Sequence, residues 1–177
     1  PDWKRDEPRA GWTITSVYQH DPDDPERSAP LSAPGVDVRV GDTIVAINGR
    51  STLDVPHPAA LLRAKAGQQV LLRVRPAGAS DAAGERDVIV RPINANSFAD
   101  LRYTDWGLSR RRIVESKSEN RIGYVHLRAM GRENISEWAR GFYPAFNRDG
   151  LIIDVRRNSG GNIDSWILGQ LLRKAWM

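Results

Sequence analysis

The alternation of apolar and polar positions divides the chain into two textures. Between Trp12 and Tyr18 the run WTITSVY mixes β-branched and aromatic residues, and Asp21-Pro22-Asp23-Asp24-Pro25 then breaks it. A strand followed by a loop is predicted. Residues 21–35 are rich in Pro, Asp and Ser and close on Ala33-Pro34-Gly35, which predicts a surface excursion with one helical turn near Leu31. Val40-Gly41-Asp42 reads as a tight turn before a strand from Thr43 to Ile47, and Asn48-Gly49 as a turn suited to positive φ. From Pro56, PHPAALLRAK sets Leu61, Leu62 and Lys65 at helical spacing, with proline at the entry and Gly67 beyond the last turn, predicting a short capped helix. Gln69–Arg75 alternates Val70, Leu72 and Val74 against Leu71, Arg73 and Arg75, a strand with one buried face. Arg86–Ile93 repeats the style after an exposed connection over 77–84.

Past Asn94-Ala95-Asn96 the texture changes. Phe98–Lys117 is charged and helical in pattern, Arg121–Leu127 reads as a strand, and Glu133–Phe146 as a second helix. Leu151–Val155 is an apolar strand, and a closing helix is predicted from Asn162 to Trp176. Helix and strand alternating in this way predict an α/β layer, with Leu151–Asp154 as a central strand buried on both faces. The fold class is therefore α+β passing into α/β, with a first domain over 1–95 and a second over 96–177.

Composition narrows the function classes. Apolar content of 40% and charged content of 27% are those of a globular chain, no apolar run approaches a membrane span, and Pro1–Pro8 are charged rather than signal-like. The absence of cysteine removes disulfides, thiolate nucleophiles and cysteine-based metal sites, and fits a reducing compartment. With three scattered histidines, no metal constellation or cofactor motif stands out. Of 26 basic residues only Lys4, Lys65, Lys117 and Lys174 are lysine. The surplus is uneven: residues 1–95 hold 12 basic and 13 acidic side chains, residues 96–177 hold 14 and 9. The densest cluster, Arg110-Arg111-Arg112, lies in a helical pattern without a ladder of stacking aromatics, so a solvated helix face or a surface meeting another domain is expected rather than nucleic acid.

Taken together, APGVDVRVGDTIVAINGR, PHPAALLRAKAG and QQVLLRVR resemble the core of a PDZ domain of the bacterial protease type over residues 10–93. The resemblance implies a small PDZ-like β-barrel with a groove between the helix and an exposed strand, where an extended peptide adds to the sheet. It makes Trp12–Tyr18 the strand after the groove strand, leaves Asp2-Trp3-Lys4 as the tail of the groove strand, and sets His57 near the start of the groove helix, a position that selects a ligand side chain in such domains. IGYVHLRAMG, GLIIDVRRNSGGN and the succeeding helix resemble the tricorn and carboxyl-terminal-processing serine proteases, and the insertion DPERSAPLSAPGVDV with YTDWGLSRRRIVESKSENRIGYVHL is closest to tricorn. This second resemblance implies that residues 96–177 are an incomplete α/β protease core. It also implies that the whole protein is a cytoplasmic peptidase of short peptides that assembles into a large homo-oligomer, this segment meeting the remaining domains of the same protease; composition and charge already point away from nucleic acid and membrane as partners.

The chemistry concentrates in Arg157–Asn162, RNSGGN. Two glycines after a buried strand and before a helix let the backbone approach a ligand, and the helix start turns amide donors outward, which suits an oxyanion hole. The resemblance puts the donor N–H on Gly160 or Gly161. It also implies that the nucleophilic serine lies beyond this segment and the base precedes the PDZ-like domain, so Ser109, Ser136, Ser159 and Ser165 hold no matching position and these residues alone are expected to be inactive. His126 reads as a partly buried structural histidine, His20 as a loop residue, Asp154 as a carboxylate paired with Arg156 or Arg157, and Glu115, Glu119 and Glu133 as solvated. A non-catalytic PDZ-type peptide-binding or scaffold module is the alternative, since the fold alone does not decide between them.

Overall fold

The computed structural model describes residues 1–21, 28–79 and 82–173. Residues 22–27 of the predicted excursion, part of the 77–84 connection and the last turn of the predicted closing helix lie outside the described residues. The chain divides into two compact units, Pro1–Asp105 and Trp106–Met177.

In the first unit, strands β1 (Asp2–Asp6), β2 (Gly11–Ser16), β3 (Thr43–Ile47), β4 (Arg50–Ser51), β5 (Val70–Arg75) and β6 (Arg86–Val90) form one antiparallel sheet in the order β1-β2-β3-β5-β6, with β4 paired to β3. The Asn48-Gly49 turn works as predicted: both residues have positive φ, 49° and 78°, the combination a two-residue hairpin demands. Alternation also holds on β5, where Val70, Leu72 and Val74 are buried with Ile14, Ile44 and Ile47. The helical turn expected near Leu31 is a 3₁₀ turn over Pro30–Ser32 that buries that leucine in the same core.

Several expectations are corrected. The sheet does not close into a barrel, because β1 and β6 each pair with one neighbour among the described residues. The helix predicted from Pro56 is a five-residue 3₁₀ helix, Pro58–Leu62. It starts on proline, and it ends where Arg63 turns extended (ψ 133°) and Ala64 adopts a φ of 55°, before a ladder of i→i+4 bonds can form. Arg75 also departs from the alternation: it is buried, its guanidinium held by Glu85 at 2.5 Å and by the Arg9 carbonyl at 2.9 Å. A cation is tolerated there because its donors are paired.

Helix α1 (Ala95–Lys117) contains the division between the units. In the second unit β7 (Ile122–His126) and β8 (Gly150–Asp154) pair in parallel, connected through α2 (Ile135–Phe142) and succeeded by α3 (Asp164–Arg173). Val125, Leu127, Trp138, Phe142, Ile163 and Ile167 form the core, with the Trp138 and Phe142 rings stacked at 4.8 Å. The central strand expected at Leu151–Asp154 has a single neighbour among the described residues, so Ile152 and Val155 are exposed rather than buried. Glu115, expected to be solvated, instead receives Arg111 at 3.1 Å and Arg148 at 3.0 Å, and Arg148 also donates to the Ile122 carbonyl, tying the end of α1 to the start of β7.

Asp42 is the polar keystone of the first sheet. Buried at the start of β3, it accepts from the Arg39 amide at 3.0 Å and from the Ala77 amide at 3.0 Å, joining two turns 35 residues apart. Asp42→Ala strands both amides and is expected to cost about 1–3 kcal/mol, read as a lower midpoint in urea unfolding with unchanged slope; an unshifted midpoint would remove this role.

Candidate functional site

Two places in the described residues have the shape of a site. The first lies in the first unit. An apolar cavity of about 350 Å³ is lined by Trp3 of β1, Val17 and Tyr18 after β2, Leu31, His57 with Ala59 and Leu62 of the 3₁₀ helix, and Phe98 and Leu101 of α1. The cavity therefore lies where the 3₁₀ helix meets the outer strand of the sheet. His57 stands at the cap of that helix, its Nδ1 accepting from the Ala59 amide at 3.2 Å. The cap bond requires Nδ1 to be unprotonated. The ring meets Trp3 and Trp12 edge-on, at 6.1 and 5.0 Å between centroids. Across the cavity the Tyr18 hydroxyl donates to Asp2 at 2.6 Å, and burial together with this bond pushes its phenol up to about 12. The tail of the predicted groove strand, Asp2-Trp3-Lys4, belongs to the edge strand β1, paired with β2.

The second place is the loop that leaves β8. Asp154 ends the strand and is buried. Its carboxylate receives the Arg156 guanidinium, the Arg156 amide at 3.0 Å and the Tyr124 hydroxyl at 2.6 Å, while its carbonyl meets His126 Nδ1 at 2.8 Å and the Leu127 amide at 2.9 Å. The expected Arg156 partner is present, and Tyr124 is a second that sequence reasoning missed. Arg156, and then Tyr124, hold the Asp154 carboxyl well below the usual carboxylate range; burial, reinforced by Asp154, pushes the Tyr124 phenol up. Arg156 and Arg157 lie over the Trp106 ring at 5.1 and 5.4 Å, and His126 meets the same ring edge-on at 5.1 Å.

Beyond this anchor the backbone turns on Arg157, whose φ is 60°, and runs through Asn158, Ser159, Gly160 and Gly161 to α3. Met130 fixes its far end. The Met130 amide donates to the Gly160 carbonyl at 2.7 Å, and the Met130 carbonyl accepts from the amides of Asn162 at 2.7 Å and Ile163 at 3.1 Å. This is a parallel bridge between Met130 and Gly161. Such a bridge uses the peptide groups on either side of Gly161 and leaves its own N–H free to point elsewhere. A Cβ on Gly161 would stand 2.0 Å from the Met130 carbonyl carbon and oxygen, whereas one on Gly160 would meet open space. The two candidate donors are thus distinguished: the Gly160 N–H is given to Asn158 Oδ1 at 2.7 Å, and no acceptor among the described residues takes the Gly161 N–H.

The serines passed over in the sequence have ordinary bonds. Ser109 Oγ donates to the Trp106 carbonyl, Ser136 Oγ to the Glu133 carbonyl and Ser159 Oγ to the Arg128 carbonyl, and Ser165 is exposed on the first turn of α3. Among the described residues no cluster of histidine and carboxylate residues could hold a metal ion, and no helix is long and apolar enough to cross a membrane.

Comparison with known proteins gives the class first. The tricorn protease PDZ domain matches residues 1–95, and peptidase family S41 matches residues 121–175. Tricorn protease homolog 1 of Streptomyces coelicolor is 36% identical over 163 residues, covering 92% of this chain and 15% of that protein. The tricorn protease homolog of Saccharolobus solfataricus is 32% identical over 173 residues, covering 98% of this chain and 15% of that protein. The crystal structure of the tricorn protease superposes with a TM-score of 0.74 at 26% identity, over 96% of this chain and 16% of that one. The chain belongs to the tricorn protease family. It spans about a sixth or less of the length of these relatives.

The Asp154 anchor makes a pH-dependent prediction. Because its carboxyl is depressed in the fold, its contribution is full above about pH 4 and is lost as the pH falls further. Tyr124→Phe is expected to cost about 0.5–1.5 kcal/mol at pH 7, Asp154→Ala more, and the gap between Asp154→Ala and the parent should narrow as the pH drops below about 4. Urea unfolding at pH 7 and pH 3 checks this; a gap that widens in acid would contradict the assignment.

Proposed function

We propose that this chain is the PDZ-like and oxyanion-loop portion of a tricorn-type serine protease that degrades short peptides. The observation that carries the proposal is the N–H of Gly161, which no acceptor among the described residues takes, on a loop held from both sides and lying in the region matched by peptidase family S41. Donors aimed at the place where negative charge develops, and already fixed before the reaction, are what acyl transfer requires of a protein backbone. On this reading the tetrahedral oxyanion is received by Gly161, while Gly160 shapes the loop through its φ of 87°. The nucleophilic serine and its base are supplied by segments outside these 177 residues, and the chain alone does not hydrolyse peptides. We place the limit between the PDZ-like domain and the peptidase portion near residue 95, where the PDZ match ends and α1 begins.

The apolar cavity supports a binding role for the first unit. An extended peptide laid along the edge of β1 that pairs with no strand among the described residues would set an apolar side chain into it, with His57 on the wall as a selector. Homo-oligomeric assembly, a cytoplasmic location and contact with the other domains of the same protease belong to this proposal. A peptide-binding module without proteolysis is the second reading, and the same cavity favours it; loss of turnover on changing the loop separates the two.

In the intact protease, Gly161→Val, whose Cβ would overlap the Met130 backbone, is expected to displace the loop and lower thermal stability, and to lower turnover by at least the roughly hundred- to thousandfold typical of one oxyanion donor. Gly160→Ala, which meets open space but a left-handed φ, should lose less than about tenfold and cost about 1–2 kcal/mol of stability. Turnover and binding measured on folded variants decide. Full activity in Gly161→Val, or an equal loss in both, would remove Gly161 as the donor.

A further inference from the structure

Resting on the peptide-binding reading of the first unit, we propose that the apolar cavity takes an aromatic side chain of an extended peptide, and that Phe98 is the residue that sets this preference. Helix α1 supplies one wall of the cavity, although the PDZ match ends at residue 95. Phe98, Leu101 and Asp105 stand at i, i+3 and i+7 on α1 and so share a face. Each is tied to the first unit: Phe98 meets the Tyr18 ring edge-on at 5.7 Å, Leu101 is buried in the cavity wall, and Asp105 accepts from the Gln19 amide at 2.9 Å. Arg102, one turn beyond Phe98, lies over its ring at 5.9 Å. The Phe98 ring is therefore held in place by the protein itself, and at 37% exposure while lining the cavity it stands at the mouth.

Charge, volume and wall chemistry define the occupant. No Asp, Glu, Lys or Arg side chain lines the cavity. The polar groups on its wall already have partners: the Tyr18 hydroxyl donates to Asp2, Asn94 Oδ1 accepts from the Ser97 amide, and His57 Nδ1 accepts from the Ala59 amide. A charged side chain would lose its water there with no opposite charge to meet it, so the occupant is uncharged. A dry apolar cavity of about 150 Å³ holds a benzene ring, and this one offers about 350 Å³. A leucine or valine side chain would leave part of that volume empty and forgo the contacts of its lining. An aromatic ring fills more of it and finds Trp3, Tyr18 and Phe98 as partners, whose edges and faces favour a ring beyond the area it buries. The unpaired edge of β1, which carries Trp3, is where the backbone of such a peptide would be held.

The test titrates the 177-residue chain with Gly-Ser heptapeptides carrying Phe, Trp, Leu or Lys at one position, each position in turn, and reads Kd by calorimetry. The best Phe peptide is expected to bind roughly tenfold tighter than its Leu counterpart, a discrimination within reach of an apolar pocket, with the Lys counterpart weaker still. Phe98→Trp, which sets a larger ring at the mouth, should bring the Phe and Leu peptides towards equal affinity. Phe98→Ala, which opens the wall, should raise the affinity for Trp relative to Phe by roughly tenfold. Loss of folded protein weakens every peptide alike, so these ratios report the wall and not the stability of the variant. If the parent chain ranks Leu or Lys level with Phe, the aromatic preference is wrong. If it prefers Phe but neither variant moves the ratios, the role of Phe98 fails and the peptide-binding reading stands. If no peptide binds more tightly than plain Gly-Ser, that reading fails and the inference falls with it.

Discussion

The backbone of Met130 occupies the space where a side chain on Gly161 would begin, and the second unit is arranged around that contact. With a Cβ excluded by a 2.0 Å approach, the loop can dock its peptide groups directly on Met130, which spends its amide on Gly160 and its carbonyl on Asn162 and Ile163. Those last two bonds satisfy amides just ahead of α3 that its own ladder cannot reach. The same bonds hold Ile163 and then Ile167 in the core with Trp138 and Phe142. One close backbone approach thus sets the loop, the start of the helix and part of the apolar packing together.

The near end of the loop is held by different chemistry. Asp154 is buried with Arg156, Tyr124 and backbone donors around it, so the charge is paired and the strand end is pinned to β7. Such pairing mainly prevents the cost of an unmatched buried charge. Between a charged anchor on one side and a backbone bridge on the other, the intervening glycines are free to present an N–H. The first unit uses apolar packing instead: its cavity is walled by side chains from the sheet, the 3₁₀ helix and the first turns of α1, with His57, Tyr18 and Asn94 among the polar residues on its wall.

Local patterns were legible where local rules decide. The Asn48-Gly49 turn, the alternation of Val70, Leu72 and Val74, and the two strands on either side of α2 derive from φ preference and periodicity. The helix from Pro56 was misread because spacing of Leu61 and Leu62 cannot report that Arg63 and Ala64 leave helical geometry at once. Arg75 and Glu115 looked solvated because their partners, Glu85 with the Arg9 carbonyl and Arg148, come from elsewhere in the chain. Asn158 carried a visible signal, an Asn two residues before a glycine, which favours a side-chain bond to that amide. Its second bond to Leu127 and the seat on Met130 depend on tertiary placement and leave no trace in the local sequence. For the same reason the sequence leaves the choice between Gly160 and Gly161 open, and the proposal of Gly161 rests on how their hydrogen bonds differ.

The proposed chemistry turns on the Gly161 N–H, and not the Gly160 N–H, meeting the oxyanion. A structure of the intact protease carrying a covalent tetrahedral peptide adduct measures this directly. The Gly161 nitrogen is expected at about 2.7–3.1 Å from the adduct oxygen, with the Gly160 amide still on Asn158. An adduct oxygen bonded to Gly160, or to neither glycine, would refute this assignment.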